Sequence, residues 1–276
     1  MAIRSASETA SAARRLFRNV FGRYWRAILV SAALSLGFLG FLWYIGYFGG
    51  QIFAEVPAAA HRAPPVPGLG AVILSGDTGS RLGLSPQVAQ RLAANGIPVI
   101  TVNSLAYFRT RRSIAETQSL IADAARRALA LPGVKRVALI GQSFGADMLQ
   151  AGLPGLPEAL RSHVLLVALI VPGDTLNFRA SFQELLDFEK PDRLALPTAQ
   201  QLDWVPALCI HGEVEQNSLC PLLHGPNIRR VALPGGHMLH RDADAVAGVL
   251  LRAIKCAAHA SVPRAGPPCK PEGVKS

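Results

Sequence analysis

Val137-Ala138-Leu139-Ile140-Gly141-Gln142-Ser143-Phe144-Gly145 sets a serine between two glycines, where an apolar β-type run gives way to a helical pattern. A strand that turns sharply into a helix needs small neighbours on both sides of the turn residue. Its hydroxyl then projects above the sheet. The first backbone N–H groups of the following helix also point toward that hydroxyl. A serine that merely caps a helix leaves the same local pattern, so the order of the surrounding elements has to agree.

Reading outward, short apolar runs alternate with helical ones. Ala71–Leu74, Pro98–Val102, Val137–Ile140, His163–Ile170, Ala207–Ile210 and Arg229–Ala232 read as strands, apolar at nearly every position save Arg229 and Arg230. Pro86–Asn95, Ser113–Leu131 and Ala245–Ala258 read as helices, the second opened by the capping-box pair Ser113 and Glu116. Strands without alternation, separated by helices, imply a parallel sheet covered on both faces. The expected fold class is α/β: an α/β-hydrolase-like, doubly wound, mostly parallel sheet, with ligands at the carboxyl ends of its strands. The longest insertion, residues 171–204, carries Phe178, Phe182, Phe188 and Trp204. These aromatics suit an apolar cap over a lipid or the completion of the core.

A serine hydroxyl is a weak nucleophile and needs a base within hydrogen-bond reach. His237, in Leu233-Pro234-Gly235-Gly236-His237, follows a strand and precedes the last helix; His240 is the rival. The acid that orients the imidazole belongs between serine and histidine in the sequence. In the loop after the Ala207–Ile210 strand, Glu215 lies three residues past Gly212, with Glu213 as the alternative. The expected oxyanion donors are the backbone N–H groups of Phe144 and of Asp77, the latter in Ser75-Gly76-Asp77-Thr78-Gly79. That loop matches neither GxxxxGK[ST] nor GxGxxG, which argues against nucleotide binding. No cofactor or metal is expected, since no CxxC or zinc-type spacing of Cys and His occurs.

Half of the 276 residues are apolar and 17% are charged, which excludes a disordered chain. The net charge of +10 is divided equally between the first 26 residues and the other 250. A basic head on a nearly balanced body points to membrane topology rather than to a nucleic-acid surface. Ala27–Ala54 holds no charged residue, with Tyr24 and Trp25 at one end and Trp43, Tyr44 and Tyr47 near the other. About 20 apolar residues span a bilayer core. The reading is therefore a basic N-terminus (1–26), a transmembrane anchor (27–50), a Pro-rich linker (51–69), the hydrolase domain (70–260) and a tail without regular structure (261–276). The arginine bias puts the N-terminus in the cytoplasm and the body across the membrane. A cleaved leader, cut near Ala58–Ala60, exports the body equally well.

The four cysteines, Cys209, Cys220, Cys256 and Cys269, suggest two bridges in an oxidising compartment. The local pairs Cys209–Cys220 and Cys256–Cys269 are preferred among three connectivities; buried free thiols are the alternative.

SGDTG, GQSFGAD, CIHGEVEQNSLCP and LPGGH, in this order, resemble the VirJ/AcvB family of bacterial exported α/β-hydrolase-fold proteins, as do Ser104–Phe108 and the helix start at Glu116-Thr117. The similarity runs over roughly residues 70–257. It departs at Gln142, at Thr78 and in Val214–Asn217, where the family commonly has tyrosine, glycine and more aspartate. The resemblance implies a periplasmic serine hydrolase, which with the span and arginine bias above gives a single-pass protein of the bacterial inner membrane. Its implied substrate is aminoacylated phosphatidylglycerol, lysyl above all, and its implied partners include a secretion apparatus; the alternatives are a general envelope esterase or acyltransferase, or a non-catalytic periplasmic interaction protein. Asp147, one turn beyond Ser143, and Asp77 are candidates to meet the substrate ammonium.

Overall fold

The computed structural model describes residues 3–180 and 190–260, with side chains from residue 24 onward. The chain forms two units, Met1–Tyr44 and Ile45–Ser276. The first is a helix, α1 (Ile3–Tyr44), that runs through both the basic head and the apolar run. Tyr24–Ile45, with a mean hydropathy of 2.0, is long and apolar enough to cross a membrane. The helix stops short of the expected boundary at residue 50. Gly46 adopts a φ of 86°, the left-handed turn that ends helices, and Gly49 and Gly50 also have positive φ.

The second unit is built on a seven-stranded sheet of order β1-β3-β2-β4-β5-β8-β9. Its strands are β1 (Phe53–Val56), β2 (Leu69–Leu74), β3 (Val99–Val102), β4 (Arg136–Gln142), β5 (Val164–Ile170), β8 (Ala207–Gly212) and β9 (Ile228–Leu233). All six strands read from the sequence are present and run parallel to one another. Helices α2 (Leu84–Ala94) and α8 (Ala243–Ala260) pack together on one face. On the other face lie α4 (Ile114–Leu129) and α5 (Phe144–Gly152). Every residue of β2 is buried, which is why its sequence shows no alternation. Ile73, Ile140 and Ile170 from the strands meet Val88 and Leu92 of α2 and Val246 and Leu250 of α8 in one cluster.

One expectation needs correction. Residues 51–69, expected as a Pro-rich linker, hold a strand of the sheet and a further bond to the body. β1 pairs antiparallel with the edge of β3, Phe53 opposite Val102, and the Ala59 N–H donates to the Ala93 carbonyl at 2.9 Å. A four-residue edge strand closed by Pro57 is too short and too half-buried to show a periodic signal. The insertion 171–204 contributes Gly173, Asp174, Thr175 and Asn177 to the site. Its described part holds a small antiparallel pair, β6 (Thr175–Leu176) with β7 (Arg193–Leu194), followed by α7 (Leu196–Ala199). Phe178 is buried, and Trp204 stacks under Arg161 at 5.0 Å. Phe182 and Phe188 lie outside the described residues. The short helices α3 (Ser104–Phe108) and α6 (Glu158–Arg161) complete the unit.

Cys209 and Cys220 are bridged, with Cα atoms 5.5 Å apart. Cys256 is also disulfide-bonded; its expected partner, Cys269, and the tail lie outside the described residues.

Candidate active site

The carboxyl end of β4 delivers Gln142 and Ser143, and α5 begins at the next residue. Ser143 holds φ 52° and ψ −127°, a conformation that costs an L-residue on the order of 1–3 kcal/mol and persists only where the surroundings enforce it. The enforcement is visible in its neighbours. A Cβ on Gly145 would overlap the carbonyls of Leu74, the last residue of β2, and of Ser75 just beyond it, and one on Gly141 would meet the backbone of Gly145 and Ala146. The Ser143 N–H is held by the Ile170 carbonyl at 2.8 Å, and its own carbonyl accepts from Ala146 at 2.7 Å.

Ser143 Oγ lies 2.8 Å from Nε2 of His237. His237 stands past β9 on the Pro234–Gly236 loop, where Gly235 takes a φ of 97° and bends the chain back across the sheet end. Its Nδ1 lies 2.5 Å from Glu215 Oε1. A carboxylate only accepts, so Nδ1 carries the proton and Nε2 is left to accept from the serine. Glu215 Oε2 accepts the N–H of Gly212 at 3.1 Å, and its side chain is 7% exposed against 46% for His237. The acid is thus fixed and dry while the imidazole edge is accessible. The structure brings together Ser143, His237 and Glu215. The rival His240 instead packs its ring on Gly235, and Glu213 is exposed outside the cavity lining.

The loop that carries Glu215 is tied down twice. The Cys209–Cys220 bridge closes it onto β8. Backbone bonds join it to the segment after β5, Asp174 N–H to Asn217 O at 3.1 Å and Leu219 N–H to Pro172 O at 3.0 Å.

Ser143 and His237 open onto a cavity of about 500 Å³. Asp77 and Phe144, the residues expected to supply oxyanion donors, both line it. The Phe144 N–H sits at the first position of α5, where a helix offers no internal acceptor. Asp147 lines it too, its Oδ1 accepting the Gly173 N–H at 2.8 Å. Asp174, with Thr175 and Asn177, was not singled out from the sequence. Its signal was position: Pro172-Gly173-Asp174 leaves the carboxyl end of β5, where ligands of such sheets bind. Besides Glu215, the lining thus carries three carboxylates, and no lysine or arginine among the described residues. No group of three or more His, Cys, Asp or Glu among the described residues is placed to hold a metal ion.

A family model described as bacterial virulence protein (VirJ) matches residues 69–258. The chain belongs to the VirJ family. No curated protein matches its sequence. Among solved structures it is similar to the α/β hydrolase GrgF from Penicillium sp. sh18 (TM-score 0.54, 14% identity, 74% of this chain and 98% of that one). It is also similar to Est1E from Butyrivibrio proteoclasticus (TM-score 0.51, 14% identity, 73% and 93%). A third is proline iminopeptidase of Mycobacterium smegmatis (TM-score 0.51, 14% identity, 76% and 96%). At such identities the likeness establishes the fold, and this VirJ-family chain has the α/β-hydrolase fold with one N-terminal apolar helix.

Proposed function

We propose that this VirJ-family protein is a membrane-anchored serine hydrolase of the bacterial periplasm that cleaves the aminoacyl ester of aminoacylated phosphatidylglycerol, with the lysyl form preferred. The observation that carries the reading is the hydrogen-bonded chain Ser143–His237–Glu215 opening into a cavity lined by carboxylates. His237 takes the Ser143 proton as Oγ attacks the aminoacyl carbonyl, and Glu215 stabilises the imidazolium. The N–H groups of Phe144 and Asp77 receive the developing oxyanion, each contributing about 3 kcal/mol. His237 then protonates the departing glycerol oxygen, and water repeats the sequence to free the amino acid.

Charge favours this substrate over an ordinary fatty ester. An acyl group bearing one or two ammonium groups suits Asp77, Asp147 and Asp174, whereas a carboxylate or phosphate at the same depth would be repelled. The arginine-rich head and the disulfide both fit an N-terminus in the cytoplasm and a body in an oxidising compartment.

The test incubates the purified full-length protein with lysyl- and alanyl-phosphatidylglycerol and follows free amino acid. Release that disappears in Ser143→Ala is the expected result, and Asp174→Asn should cost the lysyl substrate more than the alanyl one. Failure of the wild type to release either amino acid would overturn the proposal.

A further inference from the structure

Two polar side chains stand behind the active site without lining its cavity: Gln142, the last residue of β4, and Ser85, in the first turn of α2. The buried face of α2 is otherwise apolar, with Leu84, Val88, Ala89 and Leu92. A hydroxyl set into such a face costs stability unless it is bonded. Ser85, 3% exposed, donates to Oε1 of Gln142 at 2.6 Å, its partner 57 positions along the chain.

The carboxamide so held lies against the loop that follows β2. A Cβ on Gly76 would stand 3.3 Å from Gln142 Oε1 and 3.5 Å from its Nε2. Gly76 is not among the glycines with positive φ, so its backbone conformation does not call for glycine. The closeness of the Gln142 amide does. Just before Gly76 the loop is fixed by backbone: Ser75 N–H donates to Val102 O at 3.0 Å, and Ser75 Oγ accepts from Ser104 N–H at 3.1 Å. Beyond it, the turn Gly76–Gly79 is closed by the Gly79 N–H donating to Gly76 O at 3.1 Å, which leaves the Asp77 N–H outside the ring. The aim of that N–H depends on how the peptide between Gly76 and Asp77 is rotated. Glycine resists such rotation least, so the side chain packed on Gly76 decides it.

We propose that Gln142 and Ser85 are positioning residues of the oxyanion site: the Ser85-held carboxamide braces Gly76 and thereby fixes the Asp77 N–H toward the tetrahedral intermediate. Gln142 immediately precedes Ser143, so one backbone segment sets the nucleophile, the Phe144 N–H and, through its side chain, the second donor. A donor displaced by a fraction of an ångström leaves substrate binding as it was and weakens only the hold on the developing charge. The purpose of the brace rests on the proposed hydrolase reading. The brace itself does not require turnover.

The experiment compares variants of the full-length protein on lysine ethyl ester. Gln142→Ala removes both the bond and the contact, whereas Gln142→Met and Ser85→Ala remove the bond and keep the bulk against Gly76. In Gln142→Ala, kcat should fall about 10–100-fold with KM within about twofold. Affinity for a boronic acid that traps Ser143 as a tetrahedral adduct should fall by the same factor as kcat/KM. Gln142→Met and Ser85→Ala should each lose about 3–10-fold, and their combination no more than either alone, because a single bond is lost. A kcat within about twofold of wild type in Gln142→Ala, a rise in KM alone, or additive losses in the combined variant overturns the proposal. Should Gln142→Ala fail to fold, the other two variants and their combination decide by the same rule. Amide hydrogen exchange separates the brace from the hydrolase reading. In Gln142→Ala, or in Ser85→Ala if that variant alone folds, exchange across residues 75–79 should quicken at least about tenfold while β5 stays as in wild type. A wild type that neither turns over the ester nor binds the boronic acid sinks the hydrolase reading; the exchange still decides the brace, and an unchanged rate at residues 75–79 removes it.

Discussion

Glu215 owes its place to three separate bonds: its Oε1 meets His237, its Oε2 accepts from Gly212, and its own N–H donates to Gly212 O at 3.1 Å. An amide in its place keeps the shape but offers the imidazole a donor or an uncharged acceptor, so the wrong tautomer becomes competitive. Glu215→Gln should therefore lower kcat by about 10⁴-fold, the drop seen for the acid-to-amide change in a comparable triad, with the circular dichroism spectrum unchanged. A loss below tenfold would mean that the carboxylate does not orient His237. This residue was legible in the sequence because its distance from Gly212 repeats a loop habit, and because Ser143 and His237 sit in loops that must converge. Asp174 was not legible: a loop aspartate after a strand reads as solvated until the cavity shows what it faces.

Elements carry the rigidity that the site borrows. The Cys209–Cys220 bridge spans 11 positions, and closing so short a loop is worth roughly 2.5–3 kcal/mol in the chain-entropy model. Replacing both cysteines by alanine should lower the urea midpoint accordingly. It should also reduce kcat at temperatures where the variant is still fully folded, because the same loop holds Glu215. Activity unchanged in the folded variant would separate the bridge from the site. On the opposite flank, Glu116 at the start of α4 has a carboxyl pKa lowered from 4.5 to about 2. The main cause is the hydrogen bond from the Ser113 N–H (2.8 Å); those from Arg112 and the Ser113 hydroxyl add to it. A folded-state pKa below the unfolded one gives stability that is complete above pH 4.5 and lost as pH falls through about 2. Wild type and Glu116→Gln should therefore differ most in thermal midpoint near pH 6 and converge near pH 2. A gap that persists at pH 2 would contradict the ionised cap. Both devices could be read from the sequence, one as a capping-box pair and the other as two cysteines bracketing a short loop.

At the scale of the molecule, the alternation of apolar and helical runs revealed the parallel sheet because burial on both faces erases strand alternation and leaves only composition. It hid the first strand for the opposite reason: Phe53–Val56 is an edge, half exposed, and surrounded by glycine and proline that read as linker. The family similarity begins at residue 69, yet the folded body begins at Ile45. This makes the true boundary testable. A chain starting at Gly70 loses the Ile45 and Val66 side chains, 2% and 5% exposed, each worth about 1.5–3 kcal/mol of burial. It also strips β1 from β3, leaving an unpaired row of backbone N–H and C=O groups, the usual template for edge-to-edge association. Against a total stability of about 5–15 kcal/mol, that loss is large. A chain starting at Ile45 should unfold cooperatively and elute as one species, whereas the chain starting at Gly70 should melt at a clearly lower temperature and elute as aggregate. Equal melting temperatures for the two would return residues 45–69 to the role of a passive linker.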